Sequence, residues 1–306
     1  MDEFERIKKF FDLNKIGSGV VIGIGDDGAV LEPNINMHQV QVIDTLVENI
    51  HFPSTIDPAD IAYRAVMTNL SDIAAMGAIP RWMTLSLTVN NVNYKWYEKF
   101  SNGLFEASNS YQVSLVGGDL NFGPNISVTI SISGEITPDQ ALLRNGAEIG
   151  DSIYVTGTVG DAAAGLEFLK KNKQNNYLTQ RFLRPTPRIN IGRELIGKAT
   201  AAIDISDGLL GDLKKILVDG NLGADIQLDL LPISKALSNH FNSDKCYSFA
   251  LNGGDDYELC FTAKDEDVSN ISGVTRIGSL NDSGLILCHL QDNIYKFEDE
   301  SYRHFE

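Results

Sequence analysis

The 306-residue sequence predicts about two domains of α/β and α+β architecture. Apolar runs of strand length alternate with stretches whose apolar residues recur at helical spacing, the pattern of mixed sheet and helix layers. A second observation is chemical: five segments place aspartate, mostly beside glycine, at the ends of apolar runs. They are Gly25-Asp26-Asp27-Gly28 after VVIGI, Asp44 after VQVI, and Gly117-Gly118-Asp119 after VSLV. Asp204, Ser206, Asp207 and Gly208 follow AAI, and Gly253, Gly254, Asp255 and Asp256 follow FAL. Strands ending in carboxylates put hard oxygen donors at the rim of a sheet, and neighbouring glycines let a bulky anion approach the backbone. One such pair is ordinary turn chemistry. Five together point to magnesium and polyphosphate.

Taken in order, residues 3–13 carry Phe4, Ile7, Phe10 and Phe11 at helical spacing and predict an amphipathic helix. Strands are expected at 20–24, before the first acidic loop, and at 39–43, before Asp44. Asp57 then caps a helix with Pro58 in its first position and Asp60 at the positive end of its dipole, and Gly77 stops it. Its apolar face holds Ile61, Ala65, Leu70, Ile73 and Ala74, while Thr68 and Asp72, four apart, share another face. A strand at 83–89, a helix at 93–111, the strand VSLV and the alternating strand SVTISISGE complete the first half. The Gly-rich polar segment LLRNGAEIGD is the candidate boundary, dividing 1–140 from 141–306. Beyond it come the strand SIYVTG, a helix opening on small residues in TVGDAAAGLEFLKK, and a helix after RPTPR with Thr186 as cap. Residues 200–220 read as strand, acidic turn and helix, with Leu209, Leu210, Leu213, Ile216 and Leu217 buried. FALNG, YELCFTA, GLILCHL and NIYKF read as strands.

Composition narrows the function. A net charge of -16 without a basic stripe argues against nucleic acid, so an acidic protein handling phosphates must work through divalent cations. Cys246, Cys260 and Cys288 lack disulfide or zinc spacing and read as buried apolar residues in a reducing compartment. The charged start MDEFERIKKFF does not read as a signal peptide, and no apolar run approaches the ~20 residues of a membrane span. A cytoplasmic location is expected. GRELIGK fits the letters of a phosphate-binding loop, but Ala199 stands where the magnesium hydroxyl belongs and the segment is helical in pattern. HRD, DFG, GxSxG and HExxH motifs are absent.

What remains is carboxylate chemistry. Asp27, Asp44, Asp72 and Asp119 would suit magnesium if their loops converge, although Asp72 equally fits a solvated helix face. Asp204 and Ser206 equally fit a helix cap, and Asp255 and Asp256 a hairpin turn. Arg144, after a strand and before a glycine turn, is placed to clamp phosphate or to sit on the surface. His51 and Tyr302 carry weaker signals and read first as packing residues.

GIGDDGAV, DTLVENIHF, DPADIAYRAVMTNLSDIAAMGAIP, LVGGDLNFGP, LLRNGAEIGDSIYVTGTVGDAAAGL, IDISDGLLGDL and NGGDDYEL, in this order and spacing, resemble the thiamine-monophosphate kinase family over nearly the whole chain. That family is similar to aminoimidazole ribonucleotide synthetase, selenophosphate synthetase and a hydrogenase maturation factor. The resemblance implies an N-terminal ATP- and magnesium-binding α/β domain whose strands form a barrel across a homodimer. It also implies a C-terminal α+β domain that completes the active site. The implied activity is ATP-dependent phosphorylation of thiamine monophosphate to thiamine diphosphate, without a catalytic base. By the same resemblance Asp27, Asp44, Asp72, Asp119, Asp204 and Asp207 would hold several magnesium ions. Tyr111, Gly118, Asp119, Arg144 and Ser206 would contact ATP, and His51, Glu258 and Tyr302, with Phe305 as the rival aromatic, would meet thiamine monophosphate. Val42 and Ile43 stand where the family commonly has Ser-Thr, so metal contacts there must come from backbone carbonyls or water. Another ATP-dependent activity of the superfamily, or a divalent-cation or nucleotide-binding protein without turnover, are the alternatives.

Overall fold

The structure, a computed structural model, describes residues 2–12, 17–171, 173, 176–218, 220–291 and 293–296. By contacts the chain forms two units, Met1–Ile73 with Ala78–Asp139, and Ala74–Gly77 with Gln140–Glu306.

In the first unit, α1 (Glu3–Phe10) opens on a capping box: Glu5 N–H donates to Asp2 Oδ1 at 2.8 Å and Asp2 N–H to Glu5 Oε2 at 3.0 Å. Phe10 and Phe11 are buried as expected, but Phe4 is 79% exposed because the buried stripe starts only at the helix's far end. A two-stranded antiparallel ribbon follows, β1 (Val20–Ile22) with β2 (Val30–Leu31). The unit's main sheet is built from β3 (His38–Val47), β4 (Ile79–Val89), β5 (Ser114–Phe122) and β6 (Ser127–Ile136), in the order β3-β6-β4-β5. Only β4 with β5 is parallel. One face of this sheet is core: Val40 and Leu46 on β3, Val128, Ile130 and Ile132 on β6, and Met83, Leu85 and Leu87 on β4 are all buried.

Helix α2 (Pro58–Ala75) forms as its caps predict. Asp57 Oδ1 accepts the Ala59 N–H at 3.0 Å, and the helix ends in a Schellman pair, Gly77 N–H to Ala74 O and Ala78 N–H to Ile73 O, both 3.0 Å. Gly77 supplies the required positive φ of 72°. Helix α3 (Tyr94–Ser110), capped by the Asn93 side chain, lies so close to the start of α2 that a Cβ on Gly103 would fall 2.0 Å from the Ala59 carbonyl oxygen.

Two expectations about carboxylates at strand ends are corrected here. Asp44 does not end a strand but sits inside β3, paired with Ile130. Likewise β5 runs through Gly117-Gly118-Asp119, because Gly118 pairs with Leu85 of β4 so closely that a Cβ would come within 1.9 Å of the Leu85 oxygen. The glycines serve strand contact rather than a turn.

The second unit holds β7 (Ser152–Thr156), α4 (Asp161–Lys170), α5 (Asn176–Leu183), α6 (Ile189–Glu194), β8 (Ala199–Asp204), α7 (Leu209–Leu217), β9 (Gly223–Gln227) and α8 (Lys235–His240). It continues with α9 (Ser243–Asn252), β10 (Leu259–Ala263), β11 (Val274–Asn281), β12 (Ile286–Leu290) and β13 (Asn293–Tyr295). Its seven-stranded sheet has the order β13-β12-β9-β11-β7-β10-β8, antiparallel except for β12 with β9. The small residues at the start of α4 admit α5, since a Cβ on Gly165 would fall 2.1 Å from the Leu178 oxygen. All five apolar residues expected on the inner face of α7 are buried, packed with Ile203, Ile226 and Leu251.

FALNG is helix, not strand. The Asn242 side chain caps α9 by accepting the Lys245 N–H, and Cys246, Phe249 and Ala250 then bury one helical stripe. The RPTPR helix starts at Ile189 with Arg188 rather than Thr186 in the cap position, and makes no side-chain cap bond. Cys246, Cys260 and Cys288 are buried free thiols. Among the described residues no helix is long and apolar enough to cross a membrane.

Candidate active site

Each unit carries part of the expected site. In the first, Gly25 to Gly28 form an exposed turn in which Asp27 N–H donates to Asp26 Oδ1 at 2.9 Å. No heavy atom lies within 4 Å of where a Cβ on Gly25 or Gly28 would stand, so the turn leaves room for a ligand at its backbone. Asp44 is half-buried and belongs to the cross-strand row Asp44, Ile130, Leu85, Gly118. Asp119 is exposed, its carboxylate bonded to the Asn121 amide, and belongs to the next row, Thr45, Thr129, Ser86, Asp119.

These rows have a metric consequence. Strands β3 and β5 are the two edges of the sheet. Asp44 and Asp119 are therefore separated by three strand spacings, roughly 14 Å. Asp44 also shares its face with buried Val40 and Leu46, whereas Asp119 pairs with Ser86, between buried Leu85 and Leu87, and sits on the outer, hydroxyl-rich face. On that outer face Thr45 and Thr129 hydroxyls meet at 2.8 Å, and the Gln41 amide donates to Ser131 at 2.6 Å.

Asp72 is not on a solvated face: between Ile61 and Ala75 only Tyr63 and Asp72 escape full burial. Neighbouring Thr68 returns its hydroxyl to the Ala65 carbonyl at 3.2 Å. His51 is half-buried, and its Nδ1 accepts the Val47 N–H at 2.9 Å, which leaves Nε2 as the nitrogen that can carry the proton in the neutral ring. Tyr111 is half-buried and closes α3 at its C-cap.

In the second unit the structure zips two of the sequence motifs together. Asp204, almost buried, ends β8 opposite Leu259 of β10. Past it, Ile205 N–H donates to the Glu258 carbonyl at 2.7 Å, Tyr257 N–H to Ile205 O at 2.9 Å, and Asp255 N–H to Ser206 O at 2.9 Å. Gly254 has no room for a Cβ, which would stand 2.3 Å from the Ser206 oxygen. Arg144 is exposed, next to Leu143, whose carbonyl accepts the Ala202 N–H of edge strand β8 at 2.8 Å.

Glu258 and Asp256 turn inward. Glu258 is fully buried, accepting from the Thr156 hydroxyl at 2.5 Å, Arg188 Nε at 2.6 Å and Arg181 Nη2 at 2.8 Å, with a further bond from Arg188 Nη2. Both oxygens are taken, so the residue expected at the ligand is, in this structure, the anchor of two guanidinium groups. Asp256 is no hairpin residue. Its buried carboxylate caps α4 by accepting the Gly160 and Ala162 N–H groups at 2.5 and 3.0 Å, and burial pushes its pKa up to about 7 against the pull of Arg181. Sequence reasoning misses Arg181 and Arg188: RPTPR predicts only a helix start, and no motif singles out the segment of Arg181. Tyr302 and Phe305 lie outside the described residues.

Among the described residues, no three His, Cys, Asp or Glu side chains are grouped closely enough to hold a metal ion. The aspartates that the first unit offers are nonetheless carboxylate oxygens on exposed or half-buried positions, which is the chemistry that suits magnesium.

Comparison with known proteins shows the family. Residues 25–136 match the model of the AIR synthase related protein, N-terminal domain, and residues 148–283 that of the C-terminal domain. The thiamine-monophosphate kinase of Escherichia coli K12 is 49% identical over 269 residues, covering 85% of this chain and 82% of that protein. That of Buchnera aphidicola from Schizaphis graminum is 44% identical over 322 residues and 99% of both. Among solved structures, thiamine-monophosphate kinase from Stenotrophomonas maltophilia superposes with a TM-score of 0.84 at 39% identity, covering 89% of this chain and 91% of that one. AaThiL complexed with AMPPCP and TMP gives 0.82 at 30% identity, covering 99% and 96%. The chain belongs to the thiamine-monophosphate kinase family.

Proposed function

We propose that this protein transfers the terminal phosphate of ATP directly to thiamine monophosphate, giving thiamine diphosphate and ADP. The observation that carries the reading is the full-length likeness to kinases of that name, one of them solved with an ATP analogue and TMP. The acceptor is a phosphate oxygen, already anionic near neutral pH, so no protein base is needed to activate it. Positioning and charge neutralisation then supply the rate.

In this reading Asp27, Asp44, Asp72 and Asp119 of the first unit, with Asp204 and Asp207 of the second, would hold magnesium. The bound ions would neutralise the charge that keeps two phosphates apart. Gly118, Asp119, Arg144, Ser206 and, less centrally, Tyr111 serve ATP, with Ser206 offering its hydroxyl and Arg144 a guanidinium free to swing from an exposed position. His51, Tyr302 and Glu258 serve the acceptor. Buried as it is, Glu258 would act through Arg188, whose side chain is 25% exposed and whose guanidinium is held by the carboxylate.

The same reading makes the protein a cytoplasmic homodimer with the sheets of two first units paired into a barrel, taking small anionic substrates and no nucleic acid. Support comes from the outer sheet face, which is polar yet carries Ile43 at 64% exposure, and from the open edges β3 and β5. Mass detection of thiamine diphosphate from thiamine monophosphate, dependent on ATP and magnesium, tests the activity. Product from another substrate of the superfamily, with none from this one, would refute it.

A further inference from the structure

The turn that carries Ser206 and Asp207 takes its shape from a residue outside it. We propose that Asp212 is a positioning residue for phosphoryl transfer, fixing the turn between β8 and α7 by accepting the backbone N–H groups of both Ser206 and Asp207 on one buried carboxylate oxygen. The proposal rests on the kinase reading of these two residues and deepens it.

Helix α7 begins without a side-chain cap, because its N-cap is Gly208. Glycine is required there: φ is 114°, and a Cβ would stand 2.7 Å from the Asn252 oxygen. A capping side chain at 208 would in any case reach only the first helical turn, so the N–H groups of Ser206 and Asp207, ahead of the cap, need an acceptor from elsewhere. Asp212 serves them from inside the helix. It is fully buried, its Oδ2 accepts the Ser206 and Asp207 N–H groups at 2.9 Å each, and its Oδ1 accepts from Lys215 Nζ at 2.8 Å. Lys215 Nζ also lies 2.7 Å from Asp207 Oδ2, so one ammonium ties the Asp207 side chain to the same anchor.

The division of labour between the two oxygens matters. Backbone position depends on Oδ2 alone, while charge balance depends on Oδ1 and Lys215. On the far side the Asp255 N–H holds the Ser206 carbonyl, so Ser206 is fixed at both its N–H and its C=O. Removing Asp212 would orphan two buried-side donors and release one of these fastenings. A hydroxyl and a carboxylate displaced by even about 1 Å lose much of their catalytic value.

The replacements Asp212→Asn and Asp212→Ala separate positioning from mere presence of charge. An asparagine amide oxygen can accept the same two N–H groups; alanine can accept none. With wild-type turnover established first, Asp212→Ala is expected to raise the KM for ATP by about tenfold and to lower kcat, with the KM for thiamine monophosphate within about twofold. Asp212→Asn should restore the KM for ATP to within about threefold of wild type. Amide hydrogen exchange at Ser206 and Asp207 should quicken in Asp212→Ala and not in Asp212→Asn.

Equal impairment of both variants, equal rises in both KM values, or full activity in folded Asp212→Ala would each overturn the proposal. Should Asp212→Ala lose the fold, Asp212→Leu repeats the test with the packing volume kept. If both unfold while Asp212→Asn is indistinguishable from wild type, Asp212 is a folding residue and the proposal fails. If the wild-type protein makes no thiamine diphosphate, the kinase reading fails by itself. Calorimetric binding of a nonhydrolysable ATP analogue with magnesium then decides for Asp212, with the same tenfold weakening in Asp212→Ala expected, and no binding by wild type counting against it.

Discussion

Mixing two inactive variants tests whether Asp44 and Asp119 act in one site. An aspartate oxygen reaches roughly 3.5 Å from its Cα and magnesium adds about 2.1 Å, so two aspartates sharing an ion have Cα atoms no more than about 11 Å apart. The roughly 14 Å between the edge strands β3 and β5, on opposite faces, exceeds that reach within one protomer. An ion that both hold must take them from two copies. Asp44→Asn and Asp119→Asn should each lower turnover by orders of magnitude without unfolding the chain. After subunit exchange at equal amounts, about half the dimers are mixed, and each mixed dimer has one site with both aspartates intact and one with neither. Recovered activity should therefore approach about a quarter of wild type, with the KM of wild type, because every active site is complete. The assay is thiamine diphosphate formation before and after exchange, with mixed dimers confirmed by mass. Confirmed exchange with no recovery would mean that each protomer uses its own pair, and the edge-to-edge argument would be wrong.

Three further outcomes are open to measurement. Asp256, raised from 3.8 to about 7, keeps in the folded state a proton that the unfolded chain releases, so its stabilising contribution is full below about pH 3.8 and is lost as pH rises through about 7. The expected slope is about 1.4 kcal/mol per pH unit inside that window, absent in Asp256→Asn; parallel denaturant-derived stability curves for the two proteins would contradict it. Gly103→Ala puts a methyl group 2.0 Å from the Ala59 carbonyl oxygen and should cost about 1–3 kcal/mol, seen as a melting temperature several degrees lower, while an unchanged melt would show that α3 can move away. Tyr302→Ala should raise the KM for thiamine monophosphate about tenfold and leave that for ATP unchanged, and an equal rise for both would make Phe305 the better acceptor contact.

The helix α2 was legible because its start and stop are local. Asp57, Pro58 and Gly77 act within one turn of the residues they punctuate, and the resulting bonds are the ones such residues make in any context. FALNG shows the limit of the same reasoning. Three apolar residues before two glycines fit a strand end or a helix end equally, and the deciding residue, the Asn242 cap, stands seven positions before Phe249. Gly117 and Gly118 misled for another reason. Their role is set by β4, a partner some thirty residues away whose oxygen leaves no room for a side chain, and no local pattern announces a partner.

The site divides along the same line. Carboxylates beside glycines point to hard-ligand and phosphate chemistry, because residue type limits what an oxygen donor can bind. Their places could not be read, because chain order and sheet order differ: β6 intervenes between β3 and β4 and leaves Asp44 and Asp119 on opposite edges. Inward-facing charge is harder still. In sequence an acid reads as solvent-facing or ligand-facing, yet Glu258 faces the interior because Arg181 and Arg188, 70 or more residues earlier, lie there to meet it, and Asp256 because the Gly160 and Ala162 N–H groups do. A buried carboxylate is tolerable only with its counter-ion, so its orientation is a property of the pair rather than of either residue. The same holds for Asp212, whose acceptor oxygen and Lys215 could be placed on one helical turn from spacing alone. That the N–H groups it satisfies are those of Ser206 and Asp207 depends on how the turn folds back over the first turn of α7, which spacing does not show. Where a motif's own residues cannot fix its backbone, the residue that does so lies where the fold, and not the motif, places an acceptor.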